Sequence, residues 1–175
     1  WEAGERNSEK TLLRYTIAHL TEYLDSSTGS ESHYYHDAEF YIIPPIKEHI
    51  STGDIVRKDE KRYIVLSPPC DVAVRDIVEG VPLINANNIV LAPLISVERS
   101  DFLAHSIILD GDNAGQREKK LDDIIKGNRE KYAFLPGSGV IETAVADLQN
   151  ICTLSFEEFL QVERLATVTE SFLKN

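Results

Sequence analysis

A cysteine and an aspartate that directly follow two prolines, Cys70 and Asp71, are side chains that could do chemistry in this 175-residue chain. They end an apolar run typical of a strand, and functional side chains are often presented where regular elements end. A cysteine nucleophile needs a basic partner that favours the thiolate, and His36 is the best candidate in the sequence. Cys70 together with His33, His36 or Asp71 also offers the ligand types that bind zinc.

A structural role for these residues is the competing interpretation, and it is the one we favour. A buried cysteine beside a turn aspartate needs no reactive partner. We therefore expect Cys70 to be buried close to the segment that runs from His36 to Glu39, and Asp71 to accept backbone N–H bonds in the turn. Asp147 is expected either to pair with Arg62 or to cap a backbone turn. These are candidate binding residues, and we assign no metal ion and no cofactor.

The charge of the chain argues against nucleic acid as a partner. The net charge is −11 and the pI is about 4.9, so the protein repels phosphate backbones at long range. RNA binding would need a local basic patch. The only candidates are short runs of Lys and Arg at positions 57–58, 61–62 and 117–120, and each lies beside acidic residues. Such runs usually form solvated charged surfaces.

The composition also indicates where the protein acts. Two cysteines are too few for a disulfide framework and suit a reducing compartment. The sequence shows neither a signal peptide nor an apolar run of membrane-spanning length. The chain begins with Trp1 and contains no methionine, which suggests a fragment or a processed product. We expect a cytoplasmic protein with no membrane contact, and a protein partner or an upstream domain.

The first predicted element is an amphipathic helix. Asn7 or Ser8 can cap it, Leu13, Ile17, Leu20 and Leu24 follow at helical spacing, and it is expected to end near Asp25. A helix of this kind often connects domains or forms a homodimer contact. A Ser, Gly and Thr-rich loop follows it. The sequence therefore predicts a helix and linker at 1–32 and a second domain at 33–175.

The second domain is predicted to be α+β. The apolar runs at 55–56 and 63–66, on either side of a charged tip, predict a β-hairpin, and residues 132–135 predict a further strand. Short strands with turn residues between them indicate antiparallel pairing, and a closed barrel would remove exposed edges. Helices are predicted at about 116–128 and after the capping box that Ser155 and Glu158 form, continuing to Phe172. One barrel core is expected to contain five residues: Val56, Ile64, Leu66, Val90 and Leu94.

Three short segments resemble the PemK/MazF family of toxin endoribonucleases. They are Gly53-Asp54-Ile55-Val56 followed by Lys61-Arg62-Tyr63-Ile64-Val65-Leu66-Ser67, then Val90-Leu91-Ala92-Pro93-Leu94-Ile95-Ser96, and Val145-Ala146-Asp147-Leu148-Gln149-Asn150-Ile151-Cys152-Thr153. The resemblance covers roughly residues 53–154. It implies a small antiparallel SH3-like β-barrel, with N-terminal, middle and C-terminal helices added to it.

The resemblance also implies a catalytic pair, and this chain departs from it. In the family an arginine and a threonine assist attack of the RNA 2′-hydroxyl on the adjacent phosphate. Arg62 matches the arginine, but Ile95 stands where the threonine is expected, and Cys152 replaces a second arginine. Ser96 lies one position after the position expected for the threonine. Because side chains alternate faces along a strand, Ser96 is expected to face away from the threonine's position.

Three functional hypotheses follow from these patterns. The first is a non-catalytic binding or regulatory module of a larger prokaryotic signalling or phage-defence protein, built on a toxin-like barrel. The second is a sequence-specific endoribonuclease that uses Arg62 and Ser96. The third is a thiol- or zinc-dependent enzyme at Cys70. The missing threonine and the acidic charge favour the first.

Overall fold

The protein divides into two compact units in a computed structural model that describes residues 2–27, 39–97 and 113–173. The units are Trp1–Tyr35 and His36–Asn175. The first contains helix α1 (Glu2–Ser27). The prediction that this helix begins at Asn7 or Ser8 is wrong. Glu, Ala, Arg and Lys residues, which are strong helix formers, surround these two positions and allow the helix to run through them. No helix in the described ranges is both long enough and apolar enough to cross a membrane.

The second unit confirms the predicted α+β class. Its strands are β1 (Tyr41–Ile42), β2 (Asp54–Lys58), β3 (Lys61–Val65), β4 (Asp76–Val78), β5 (Val81–Leu83), β6 (Asn88–Ser96), β7 (Tyr132–Leu135), β8 (Ala144–Asp147), β9 (Cys152–Ser155) and β10 (Glu163–Val168). Its helices are α2 (Pro69–Val72), α3 (Ala114–Ile125), α4 (Phe156–Phe159) and α5 (Glu170–Leu173). A capping box of Asn113 and Gln116 begins α3.

The main sheet is antiparallel throughout and curls into a half-barrel that is compatible with a small barrel. Its order is β1-β10-β2-β3-β6-β8-β7. One edge of the long strand β6 pairs with β3. The other edge is shared, because its first half pairs with β9 and its last three residues pair with β8. This division of partners along a single strand allows the sheet to bend around its core.

Both faces of the central strands are buried, and the two faces carry different clusters. Ile55, Ile64 and Ala92 belong to one cluster. Val56 and Val65, their neighbours in sequence, belong to the other, because successive side chains point to opposite faces of a sheet. The prediction of one shared core is therefore wrong. Its five residues divide between the faces, and Leu66, Val90 and Leu94 are only partly buried.

The predicted long C-terminal helix is also wrong. The capping box of Ser155 and Glu158 is present, but the helix it begins, α4, ends at Phe159. The next residues form β10, which inserts between β1 and β2. Ala166 and Val168 are buried in the core cluster that contains Ile55. Burial of alternate side chains stabilises a strand here, although the local sequence pattern favours a helix.

A small hairpin of β4 and β5 was missed by the sequence analysis and forms a separate two-stranded sheet. Glu79 and Gly80 make its turn with positive φ angles of 51° and 81°. Its large apolar side chains are exposed, with 56% of Ile77 and 47% of Leu83 accessible to solvent. The hairpin thus presents apolar surface that the described part of the chain does not cover.

Candidate functional site

Arg62 lies on β3 and shares one face of the sheet with a second arginine. It pairs directly with Arg57 on β2 and with Leu94 on β6. Directly opposed residues in an antiparallel ladder point to the same face, with their Cβ atoms about 5 Å apart. Two cationic side chains are therefore neighbours on this face, an arrangement that is destabilising unless anionic groups offset it.

Ser96 lies on the face of Arg62, and Ile95 lies on the other. Ser96 is two positions beyond Leu94 along β6, which places the two side chains on the same side of the strand. Ile95 packs in a separate apolar cluster with Ile124 of α3 and Val145 of β8. Ser96 thus faces away from the threonine's expected position, as predicted, and the arginine is on the serine's side.

Glu142 joins Arg62 and Ser96. The Nη2 group of Arg62 donates a hydrogen bond to Oε2 of Glu142 at 2.9 Å. The Ser96 hydroxyl donates to the same oxygen at 3.5 Å. The Arg62 side chain is only 15% exposed, whereas that of Glu142 is 44% exposed. We call these three residues the Arg62 cluster.

The second arginine is also neutralised by a carboxylate. Arg57 forms an ion pair with Glu163, the residue opposite it on β10. Beside this pair, Lys58 contacts Glu158 of α4 at 3.2 Å. Hydrogen bonds from the backbone N–H of Ser155 and from Lys58 hold the pKa of Glu158 below its ordinary value. Arg57, Lys58 and Arg62 are thus each matched by an acidic side chain from a distant part of the chain.

The sequence analysis identified Arg62 and Ser96, named Arg57 only as part of a short basic run, and missed Glu142 and Glu163. Glu142 lies in the connection before β8, where no periodicity marks a residue as significant. Its role depends on the pairing of β6 with β8, which brings Ala144 opposite Ser96. No sequence signal indicates which carboxylate will meet which arginine.

The Arg62 cluster contains a cation, a hydroxyl and a carboxylate in contact. A guanidinium and a hydroxyl are the groups that could hold a phosphate and stabilise its developing negative charge. In this structure the carboxylate of Glu142 bonds both of them. An incoming phosphate would therefore compete with an anion that the chain itself supplies.

Cys70 is exposed, so the prediction that it is buried is wrong. Pro68 and Pro69 lead into α2 rather than into a tight turn, and α2 buries only Val72. The Cys70 thiol contacts the Asp71 carboxylate at 3.5 Å. Backbone N–H groups do bond Asp71, but at its main-chain carbonyl, which accepts from Asn85 and Ala86 at 3.1 Å each.

The partners proposed for Cys70 are only partly within the described residues. His33 and His36 lie outside them. Glu39 is described, and its main-chain carbonyl accepts a hydrogen bond from the Thr169 hydroxyl at 3.1 Å. Within the described ranges, no group of three or more His, Cys, Asp or Glu side chains is arranged to hold a metal ion.

Asp147 caps a backbone turn, which is the second of the two roles predicted for it. It is fully buried at the end of β8 and accepts hydrogen bonds from the backbone of Gln149 at 2.9 Å and from the Asn150 amide at 2.7 Å. It is adjacent in sequence to Ala146, which lies on the Arg62 face, and it therefore points the other way. Asp147 caps the turn between β8 and β9.

A second buried aspartate, Asp54, forms a polar network that the sequence analysis did not find. Its carboxylate accepts from the backbone of Ser51 at 2.8 Å, from Nε of Arg164 at 2.9 Å and from the Thr167 hydroxyl at 2.6 Å. Arg164 also donates to the main-chain carbonyl of Lys47 at 2.9 Å. The network fixes β10 against β2 and the preceding loop, which is a structural role.

Comparisons with known proteins leave these geometric observations as the basis for function. No protein-family model, no curated protein and no solved structure matches this chain.

Proposed function

We propose that this chain is a non-catalytic binding or regulatory module of a larger prokaryotic signalling or defence protein that acts in the cytoplasm. In this proposal the curled sheet is an SH3-like barrel of the PemK/MazF type that no longer cleaves RNA. One observation carries it. The carboxylate of Glu142 bonds both Arg62 and Ser96, the two residues that a ribonuclease of this type would need.

Charge supports the same conclusion. Arg57 and Arg62 are directly opposed cations on this face, and each has a glutamate partner, Glu163 and Glu142 respectively. Charge-assisted hydrogen bonds to carboxylates are among the stronger polar contacts in proteins. An RNA phosphate would have to displace one of them while approaching a chain of net charge −11.

A protein is the partner class that the exposed surface fits. The β4–β5 hairpin presents Ile77, Val78, Val81 and Leu83 to solvent. Isolated two-stranded hairpins are marginally stable in water, and exposed apolar patches usually mark interaction sites. The partner of the module is a protein, or another domain of the same polypeptide, that covers this hairpin.

An endoribonuclease is the second candidate, and the convergence of Arg62, Ser96 and Glu142 on one face favours it. Glu142 would accept the proton of an RNA 2′-hydroxyl while the 2′-oxygen attacks phosphorus. The bond from phosphorus to the 5′-oxygen would break, leaving a 2′,3′-cyclic phosphate and a 5′-hydroxyl that takes its proton from solvent. Arg62 would stabilise the negative charge on the phosphoryl oxygens.

Incubation of the full chain with end-labelled single-stranded RNA distinguishes the two candidates. We expect the RNA to remain intact. Two variants provide the matched comparison: Arg62→Ala in the cluster and Arg57→Ala at the directly opposed position. Cleavage by the unmodified protein that disappears in Arg62→Ala and persists in Arg57→Ala would overturn the non-catalytic proposal and establish the endoribonuclease.

A further inference from the structure

Helix α1 is exposed along its whole described surface. It contains 26 residues, so it is about 39 Å long at 1.5 Å per residue. Every described side chain in it, from Ser8 to Tyr23, is exposed, including the large apolar ones. Helices in water draw most of their stability from packing of an apolar face rather than from propensity alone. A helix with this composition therefore needs a surface to cover it.

One apolar stripe of α1 follows a heptad repeat. Leu13, Ile17 and Leu20 are separated by four and three residues, and Leu24 continues the pattern in the sequence. Leu13 and Leu20 then occupy d positions and Ile17 an a position. Isoleucine at a with leucine at d favours two parallel strands in coiled coils. The preceding a position is Lys10, and a single polar residue at a specifies register.

The charged residues that flank the stripe are complementary between two parallel copies. Glu9 is at position g, and Arg14 is at position e of the next heptad. In a parallel pair, a g residue of one helix lies beside the e residue five positions further along its partner. Glu9 of each copy would therefore meet Arg14 of the other. The symmetry of the dimer makes this contact twice.

We propose that α1 binds a second copy of this chain as a short parallel two-stranded coiled coil. The Leu13, Ile17 and Leu20 side chains form its seam, and the Glu9 and Arg14 side chains set its orientation. The inference is independent of the function proposed above, because it uses no residue of the second unit. It assigns the dimer contact to a particular face of α1.

A second group of exposed side chains lies on a different part of the helix, and it defines the control. Leu12 and Tyr15 are 66% and 63% exposed. Tyr15 already stacks on His19 of the same helix, with ring centroids 5.1 Å apart. Leu12 is at heptad position c, outside the seam. Leu12 and Leu20 thus provide the same residue type with similar exposure on different faces.

The mass of the full chain in solution tests the proposal, measured by sedimentation equilibrium over a concentration series. The unmodified protein is expected to approach twice the chain mass of 19.7 kDa at high concentration. Leu20→Asp is expected to remain at the mass of one chain, and Leu12→Asp to behave like the unmodified protein. A monomer throughout the series, or dissociation by Leu12→Asp to the same extent, would overturn it.

Charge exchange tests the parallel orientation and does not require loss of an apolar residue. Glu9→Arg and Arg14→Glu are each expected to weaken self-association, because they place like charges together. An equimolar mixture of the two variants is expected to recover association as a heterodimer, since both contacts become complementary again. A mixture that associates no better than either variant alone contradicts the parallel pairing. The circular dichroism of each variant confirms that the chain remains folded.

Discussion

Arg62 and Glu142 are eighty positions apart in sequence, and their side chains form an ion pair of 2.9 Å on one face of the sheet. The pair is largely covered on the arginine side and half-exposed on the glutamate side. Because the same carboxylate oxygen accepts from Ser96, one residue controls both groups that could hold a phosphate. The behaviour of this face toward anions therefore depends on Glu142.

Removing the Glu142 charge is expected to create affinity for RNA. In Glu142→Gln the Arg62 guanidinium loses its competing anion. A charge-assisted hydrogen bond contributes on the order of 1.5 kcal/mol, so we expect single-stranded RNA to bind about tenfold more tightly than to the unmodified protein. Fluorescence anisotropy at several salt concentrations measures this gain, which must fall as salt rises.

The matched control for this gain is Glu163→Gln, which removes the partner of the neighbouring arginine. The ion pair of Arg57 and Glu163 is about half exposed on both sides, so water and salt already screen it. A smaller gain is expected from this variant. Equal gains in both variants would show that net charge alone, rather than the geometry at Arg62, governs RNA binding.

Asp54→Asn is expected to destabilise the fold strongly. Asp54 is fully buried and accepts hydrogen bonds from Ser51, Arg164 and Thr167. Breaking a buried ion pair leaves the arginine without its counter-charge, at a cost of about 3 kcal/mol. Urea unfolding measures the change. Asp59→Asn, an exposed turn residue with φ of 49°, is the control and should change stability by less than about 0.5 kcal/mol.

Gly53→Ala is expected to cost about 1–2 kcal/mol, because φ at Gly53 is +83° and a side chain strains the backbone there. A Cβ atom at this position would also lie 2.9 Å from the Leu173 side chain. That side chain is flexible, so we attribute the cost to the backbone. The same substitution in a Leu173→Ala background should therefore cost nearly as much. A cost that vanishes in that background would assign it to the contact instead.

Glu158 is expected to contribute to the loss of stability in acid. Hydrogen bonds from the Ser155 N–H and Lys58 lower its pKa from 4.5 in the folded state. Its contribution is complete above the unfolded pKa and is lost as pH falls through the lower folded value. Unfolding of Glu158→Gln should therefore vary less with pH in this range. A Glu158→Gln variant that keeps the original pH dependence would contradict this assignment.

Alkylation should modify Cys70 before Cys152 in the folded protein. Cys70 is exposed and Cys152 is half-buried. The hydrogen-bond partner described for the Cys70 thiol is the Asp71 carboxylate rather than a cation, so we expect no unusual reactivity at Cys70. Mass spectrometry of iodoacetamide-treated protein, with Cys70→Ser for assignment, measures the order. If iodoacetamide labels Cys70 much faster than it labels a small-molecule thiol, the result would support the thiol-enzyme hypothesis.

Local patterns in the sequence determined the elements whose residues are close together along the chain. The strand at Tyr132–Leu135 has the predicted bounds, and the middle helix, Ala114–Ile125, differs by two or three residues at each end. The hairpin of β2 and β3 was also predicted from its turn and its apolar runs. In these elements the periodicity of the side chains and the turn residues are themselves the cause of the structure.

Tertiary structure alone decided the features that depend on distant pairing. The residues of β10 follow a capping box, yet they form a strand. This strand pairs with β1 on one edge and β2 on the other, and it buries Ala166 and Val168 in the core. Glu142 meets Arg62 only because β3 and β8 both pair with β6. The free energy of such pairings comes from contacts between segments far apart in sequence, so no local pattern contains it. Arg62 and Ser96 could therefore be identified as candidates from the sequence, whereas Glu142, the carboxylate that bonds both of them, could not.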